Sequence, residues 1–301
     1  MNFRFTKYSK VYYALSILLA LASVTVLFAF SLKFGIEFTG GSLMELSFQG
    51  DRPTNNVIQE KLNQYNLGEI IIQPLAEKEM LLRFKGVDEE THQKILASLK
   101  EISPLEEKKY DLIGPVVGQE LKQKTIVAIL LTLIAITLYI AFAFRKVSHP
   151  VSSFQYGLAS LIALFHDILI PFGVFAVLGH FYNVEITIPI IAALLTILGF
   201  SVHDTIVIFD RIRENLIKRT APSFEETVNW SLNQTLGRSI NTVLTVLIVL
   251  LAIYFFGGAT LKYFALALII GITSGAYSSI FIASPLLVSW QKMKEKRWQK
   301  G

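Results

Sequence analysis

Two aspartates lie inside apolar stretches that are long enough to cross a membrane. Asp204 lies near the end of the run 186–209, and Asp167 lies near the middle of the run 153–178. A carboxylate at the centre of a membrane helix costs about 2.5 kcal/mol or more, so it is kept where a cavity, a partner charge or a proton compensates. Asp204 is therefore the first candidate functional residue.

Arg238 is the candidate partner of Asp204, because it opens the next apolar run from the same side of the membrane. At about 1.5 Å per residue, Asp204 lies about 9 Å and Arg238 about 13 Å from the midpoints of their helices, both toward the cytoplasm. An arginine side chain can cover that difference, so the sequence predicts a pair. The pair is either a static bridge between two helices or a protonation switch, in which movement of the arginine releases or takes up a proton.

Further polar side chains accompany these two residues. His203 precedes Asp204 and His166 precedes Asp167, so a His-Asp dipeptide occurs in two neighbouring spans. This repetition indicates either a hydrated pathway or a hydrogen-bonded cluster that orients helices. Asn241 continues a polar stripe that the arginine of the fifth run begins.

Neither a metal site nor an enzyme active site is expected. The chain has no cysteine and no His-Glu-x-x-His spacing, so thiolate and zinc-protease sites have no support. Ser201 and His203 are two residues apart on a predicted helix and point to different faces, which argues against a nucleophile and its base. We therefore expect no catalytic residue, no metal and no cofactor.

The composition is that of an integral membrane protein. Of 301 residues, 52 % are hydrophobic and only 17 % are charged, and the basic residues behind the net charge of +5 flank apolar runs. Because this distribution is typical of topology signals, nucleic acid is not an expected partner. Six runs are long enough to span a membrane: 11–32, 125–144, 153–178, 186–209, 239–256 and 263–290.

The distribution of basic residues predicts that both termini are cytoplasmic. These residues occur at 4–10, 145–146 (Arg145 and Lys146), 211–219 and the tail 291–301, whereas the two short loops on the opposite side hold only Lys262. The segment 1–32 begins like a signal peptide, but its apolar run is too long and lacks a convincing cleavage site. We expect it to be an uncleaved first span.

Residues 33–124 form a predicted external domain between the first and second spans. Alternating apolar residues predict strands at 43–48, 69–75, 80–84 and 108–113, with helices at 54–65 and 88–101 and a polar loop at 76–79. The order β-α-β-β-α-β is that of a small α+β, ferredoxin-like domain. The predicted fold class is thus an integral membrane protein, a six-helix transmembrane bundle with a small external α+β domain.

The region 125–290 holds the other five spans and one predicted connector. Ser223 and Glu226 have the spacing of a capping box, which predicts a separate cytoplasmic helix at 223–236. Apolar residues on one face of this helix indicate that it lies along the membrane surface.

Four motifs resemble those of the SecF family of bacterial protein-export membrane subunits. They are Gly35-Ile-Glu-Phe-Thr-Gly-Gly41, Gly114-Pro-Val-Val-Gly118, the stretch 199–215 and Leu236-Gly-Arg-Ser-Ile-Asn-Thr242. They cover nearly the whole chain in the family's order. The related SecD subunit usually has a first motif of the Gly-Leu-Asp-Leu type, so the first of the four favours SecF.

The resemblance implies a function and a set of partners. It implies half of a resistance-nodulation-division-like bundle in the bacterial inner membrane, surrounded by lipids and completed by SecD. Such a complex associates with the SecYEG channel and uses the proton-motive force to help draw unfolded preproteins out after SecA has driven them in. In that scheme Asp204 and Arg238 match the family's proton relay.

Three alternatives stay open at this point. A proton-driven exporter of small molecules or lipids would use the same machinery, although the external domain is small for a drug-binding vestibule. A passive scaffold for membrane assembly would keep its function in charge-neutral variants of Asp204. The coupling ion is expected to be the proton, with sodium as the alternative.

Overall fold

The computed structural model describes residues 3–75, 77–145 and 150–298, which divide into two compact units. The sheet unit comprises Leu32–Val127 and Leu178–Ile188, and the helical unit comprises the rest. Three predicted features lie partly outside the described residues: Lys146, Ala76 of the polar loop, and residues 299–301 of the basic tail.

Ten helices and four strands form the described structure. In chain order they are α1 (Ser9–Phe30), α2 (Ile36–Thr39), β1 (Gly41–Phe48), α3 (Asn55–Leu62), β2 (Ile71–Pro74), β3 (Glu79–Phe84), α4 (Glu89–Ile102), β4 (Leu105–Ile113), α5 (Pro115–Ala143), α6 (Ser153–Tyr182), α7 (Ile188–Ile217), α8 (Phe224–Phe256), α9 (Gly258–Ser278) and α10 (Ser284–Trp298). Short 3-10 turns lie at Phe5–Tyr8 and Asn63–Tyr65, and a π-helical turn, Ser279–Ala283, joins α9 to α10.

Within the described ranges, six helical stretches are long and apolar enough to cross a membrane. They confirm the predicted six-span membrane fold. Several extend beyond their apolar runs, because helix formation does not stop where hydropathy falls. The stretches are Phe5–Phe30, Pro115–Ala143, Ser153–Tyr182, Ile188–Ile217, Phe224–Phe256 and Leu261–Lys296.

The separate connector helix predicted at 223–236 is wrong. Ser223 does cap a helix, since its Oγ accepts the Glu226 N–H at 3.2 Å, but α8 continues without a break for 33 residues. The physical reason is that Gly237 alone does not end a helix, because one interior glycine costs only about 1 kcal/mol. The apolar face of the first turns, including Phe224 and Val228, is buried in the same core as the spans.

The sheet unit has the predicted β-α-β-β-α-β order. Its four strands pair antiparallel in the order β2-β3-β1-β4. Side chains of alternate strand residues, such as Met44, Leu46 and Leu82, are fully buried with those of α3 and α4. Asp88 caps α4 by accepting the Thr91 N–H at 3.0 Å, and hydrogen bonds from the Thr91 hydroxyl and N–H lower the pKa of Asp88. The small α+β domain is therefore confirmed.

Two of the glycine motifs pack against each other in the sheet unit. Gly40 has φ +75°, which favours glycine, and a Cβ there would lie 2.8 Å from Pro115 Cα. A Cβ on Gly118 would lie 3.0 Å from the Gly40 nitrogen. The first motif thus packs on the first turn of α5, which begins about ten residues before the predicted span.

Candidate functional site

Asp204 of α7 is buried, and only one of its two carboxylate oxygens accepts a hydrogen bond from a described residue. Its Oδ1 accepts a hydrogen bond from Ser239 Oγ of α8 at 2.7 Å. Its Oδ2 is buried and has no hydrogen-bond partner among the described residues. Since a carboxylate has about four acceptor positions, the site leaves one oxygen free to bind a proton or a cation.

The predicted ion pair between Asp204 and Arg238 is not formed within the described part of the chain. Ser239 contacts the carboxylate instead, and Arg238 is exposed. The reason is helix geometry, because consecutive residues point about 100° apart around the axis. When Ser239 faces α7, its neighbour must face elsewhere. Counting residues placed Arg238 at a level similar to that of Asp204 but did not identify Ser239, which stands next to the arginine in the same motif.

The other polar residues predicted near Asp204 lie on an exposed face of this chain. His203 on α7 and Asn241 on α8 are exposed, as Arg238 is. On α8, Arg238 and Asn241 stand among exposed apolar side chains, including Ile240 and Leu244. We call His203, Arg238 and Asn241 the polar face. It occurs at membrane-spanning positions, where polar side chains ordinarily face protein or a water-filled cavity rather than lipid.

Asp167 is fully buried and its carboxylate is saturated. Its Oδ2 accepts the hydroxyls of Ser201 and Ser278, both at 2.6 Å. Its Oδ1 lies 3.1 Å from Ser274 Oγ and 3.2 Å from His166 Nδ1. These five residues, the Asp167 cluster, join α6, α7 and α9. The geometry favours the hydrogen-bonded cluster over the hydrated pathway.

Small residues on α9 allow the Asp167 cluster to form. A Cβ on Gly275 would lie 2.9 Å from Ser201 Cβ, so any larger residue would push α9 away from α7. Ser201 is buried while His203 is exposed, as expected for residues that point to different faces. Serines at four-residue spacing beside glycines were the available sequence signal for the two donors from α9.

A π-helical turn lies next to the Asp204 region. Ser279, the first residue of this turn, exchanges a hydrogen bond with Thr205 at 2.7 Å. Pro285 follows the turn and has no N–H, and Ser284 Oγ donates to the Ser279 carbonyl at 2.9 Å. The sixth span is therefore irregular where it contacts α7, a feature that is common at functional sites.

A third buried carboxylate lies in the sheet unit. Glu185, in the loop between α6 and α7, forms a salt bridge with Arg83 of β3, and both side chains are buried. Burial raises the pKa of Glu185, and the nearby Arg83 guanidinium offsets that rise only in part. Glu37 of the first glycine motif also has a buried oxygen without a partner among the described residues.

Two protein-family models match most of the chain. The family model "Protein export membrane protein SecD/SecF, C-terminal" matches residues 93–293, and the model "SecD/SecF GG Motif" matches residues 25–51. Protein translocase subunit SecF of Thermobaculum terrenum is 45 % identical over 295 residues, which cover 93 % of this chain and 91 % of that protein. The chain belongs to the SecF family. The SecF subunit of Anaerolinea thermophila is 33 % identical and covers 96 % of this chain and 94 % of that one.

Solved SecDF structures match this SecF-family chain closely. The crystal structure of SecDF from Thermus thermophilus, described as a translocon-associated membrane protein, superposes with a TM-score of 0.86 at 34 % identity and covers 97 % of this chain. SecDF in the super-membrane-facing form gives a TM-score of 0.72 at 33 % identity and covers the whole chain. The chain spans 39 % and 40 % of those two SecDF chains.

Family membership confirms the resemblance drawn from the four motifs. The relatives are named as SecF protein translocase subunits, so an exporter of small molecules or lipids is not favoured. The relay role of Asp204 and Arg238 and the nature of the coupling ion stay predictions.

Proposed function

We propose that this chain works with SecD to assist preprotein translocation, using the proton-motive force at the external face of the bacterial inner membrane. The observation that carries the proposal is Asp204, a carboxylate buried in a span with one oxygen free, beside an exposed polar face. Such an arrangement can take up and release a proton. The SecYEG channel, with SecA on the pathway, is the proposed site of action, and unfolded preproteins are the proposed substrate.

SecD is the proposed occupant of the polar face. His203, Arg238 and Asn241 would be poorly satisfied against lipid, so a second membrane protein is the natural cover. The matched SecDF chains are more than twice as long as the matched segment, which leaves room for such a partner. The face would then be enclosed between the two halves, with lipids around the rest of the bundle.

The proposed relay alternates between two arrangements of Asp204. In the described one, Ser239 holds one carboxylate oxygen and Arg238 is exposed. In the other, Arg238 approaches the free oxygen and the proton leaves, because a nearby cation favours the charged carboxylate. One charge crossing 100 mV is worth about 2.3 kcal/mol, enough to shift a two-state equilibrium more than tenfold.

The proposed topology follows from the basic residues that flank the spans. Arg211, Arg213 and Lys218 lie at one end of α7, and Lys292 lies on α10. With these residues inside, both termini are cytoplasmic and the sheet unit lies outside. The proton is the proposed coupling ion.

Proton flux in sealed vesicles tests the proposal. Vesicles carrying this chain with its SecD partner and an unfolded polypeptide are compared for wild type, Asp204→Asn and Asp210→Asn. Asp210 is the matched control, since it lies on the same helix but is exposed and pairs with Arg213 at 2.5 Å.

We expect flux to be lost in Asp204→Asn only, and to be independent of sodium. Equal flux in all three proteins would contradict the relay and leave Asp204 as a structural residue. Flux that requires sodium would contradict proton coupling.

A further inference from the structure

Ser239 differs from every other serine and threonine of α8. The helix contains six such residues, and in a helix their hydroxyls ordinarily donate to a carbonyl one turn back. Ser239 instead donates to Asp204 Oδ1 on the neighbouring helix. The other five all donate to carbonyls of α8 or its cap: Thr227, Ser231, Thr235, Thr242 and Thr245.

Burial fixes where the Ser239 hydroxyl can point. Ser239 is 2 % exposed, and with Thr227, Ser231 and Thr235 it forms a buried column at four-residue spacing. Asn215 of α7 donates to Ser231 at 2.9 Å, so this column faces α7. The hydroxyl of Ser239 therefore meets the carboxylate as a direct result of how α7 and α8 pack.

The two oxygens of Asp204 are consequently not equivalent. Oδ1 is bound by Ser239, and Oδ2 is buried without a hydrogen-bond partner in the described ranges. An oxygen that already accepts a hydrogen bond is a poorer site for a proton than one that accepts none.

We propose that Ser239 is a positioning residue for proton transfer, which fixes Oδ1 of Asp204 and leaves Oδ2 as the oxygen that binds and releases the proton. In the uptake step an O–H bond of a hydronium ion breaks as one forms at Oδ2, and in the release step the Oδ2–H bond breaks as the proton passes to a water molecule. The inference rests on the proposed proton-coupled function of this chain.

Among the residues that the structure describes, two titratable or charged side chains interact electrostatically with Asp204. They are His203 on α7 and Arg238 on α8. At this level the sixth span contributes the hydroxyl of Ser279, which is bonded to Thr205. The carboxylate of Asp167 on α6 already accepts hydrogen bonds from Ser201 and Ser278. The pH dependence of flux should therefore report on Asp204.

Removal of the Ser239 hydroxyl should change that pH dependence. Ser239→Ala takes away the donor that stabilises the charged carboxylate, so protonation should occur at higher pH. We expect the pH of half-maximal flux to rise by about one unit, the shift that corresponds to one hydrogen bond to a charged group. Ser239→Thr keeps a hydroxyl and should restore the midpoint.

The experiment is a pH profile of proton flux in vesicles that carry this chain and SecD. It compares wild type, Ser239→Ala, Ser239→Thr, Asp204→Asn, His203→Gln and one control. The control is Thr242→Val, which removes a hydroxyl of the same helix that donates to the Arg238 carbonyl, and it should keep the wild-type midpoint. His203→Gln removes the other titratable side chain near Asp204, so it separates titration of the histidine from titration of the carboxylate.

Each outcome decides one question. An unchanged midpoint in Ser239→Ala, or an equal shift in Thr242→Val, overturns the role of Ser239. If flux is still lost in Asp204→Asn, the proposed function stays intact. Normal flux in Asp204→Asn overturns the proposed function itself, and the inference with it. A pH dependence that disappears in His203→Gln assigns the titration to His203 and also overturns the inference.

Discussion

Asp167 and Asp204 lie in neighbouring helices and are both buried, yet they are bonded very differently. Asp167 accepts three serine hydroxyls and contacts His166, whereas Asp204 accepts one hydroxyl. A saturated carboxylate gains little from a proton, while one with a free oxygen can change its protonation state at low cost in structure. Burial and residue type are the same at both positions, so what separates the two carboxylates is the number of hydrogen-bond donors.

Glu185 in the sheet unit is an intermediate case. It is buried like the two aspartates, but a single cation, Arg83, compensates it. The three carboxylates therefore differ in what contacts them: three hydroxyls at Asp167, a cation at Glu185, and one hydroxyl with a second oxygen free at Asp204.

The largest effect is expected from Arg83→Met. Loss of the guanidinium leaves Glu185 buried without its salt-bridge partner, which costs about 3–5 kcal/mol in comparable pairs. Hydrogen exchange in residues 178–188 should become much faster. Lys61→Met is the matched control, because it breaks the exposed pair with Glu101 and should leave exchange unchanged. Equal exchange rates in Arg83→Met and Lys61→Met would show that the buried salt bridge does not stabilise residues 178–188.

Asp167→Asn should destabilise the helical unit by about 3 kcal/mol. Its single amide oxygen cannot accept all three hydroxyls, and its NH₂ group adds donors, so buried groups lose their partners. Thermal unfolding in detergent measures the loss. Asp204→Asn should unfold close to wild type, because its amide oxygen still accepts from Ser239. The same fall in Tm for both variants would abolish the distinction between the two carboxylates.

Ser278→Ala should have a smaller effect, about 1 kcal/mol. It removes one of three hydroxyl donors and leaves Asp167 bonded to the other two. Thermal unfolding checks this value, with Ser289→Ala as control because Ser289 bonds only Tyr13 and its own helix. A loss as large as that of Asp167→Asn would mean that the donors act as one unit.

The smallest effect is the pH dependence of the loop that carries Glu185. Burial raises the pKa of Glu185 in the folded chain, so folding is favoured below its ordinary value of 4.5, and this contribution is lost as pH rises through the raised value. Exchange in residues 178–188, corrected for the intrinsic rate, should quicken over that window. Glu185→Gln should flatten the dependence. Slower exchange at higher pH would contradict the sign.

Periodicity was sufficient to predict most of the fold. Six apolar runs and the alternation in 43–113 predicted the spans and the β-α-β-β-α-β domain. The connector helix at 223–236 was wrong because a capping box marks where a helix starts, and nothing in the sequence marked whether it stops before the fifth span. The packing of 178–188 with the sheet unit had no local signal, since it depends on a contact distant in sequence.

The sequence was sufficient to predict at which level of the membrane the residues of the candidate site lie, but not in which direction each side chain points around its helix. Counting residues placed Asp204 and Arg238 at similar levels, but a one-residue turn of α8 decides that Ser239 meets the carboxylate. Asp167 was found by its type alone. Its bonding could not be read from the sequence, because its donors come from two other helices whose approach depends on the glycines of α9.

Infrared spectroscopy tests the central claim most directly, namely that Asp204 changes its protonation state. Acid-minus-alkaline difference spectra are recorded for the complex of this chain with SecD, and the spectrum of Asp204→Asn is subtracted from that of wild type. We predict that one carboxylic acid band and one carboxylate band of opposite sign remain. If the two spectra cancel, Asp204 does not titrate, and the proposed relay is contradicted.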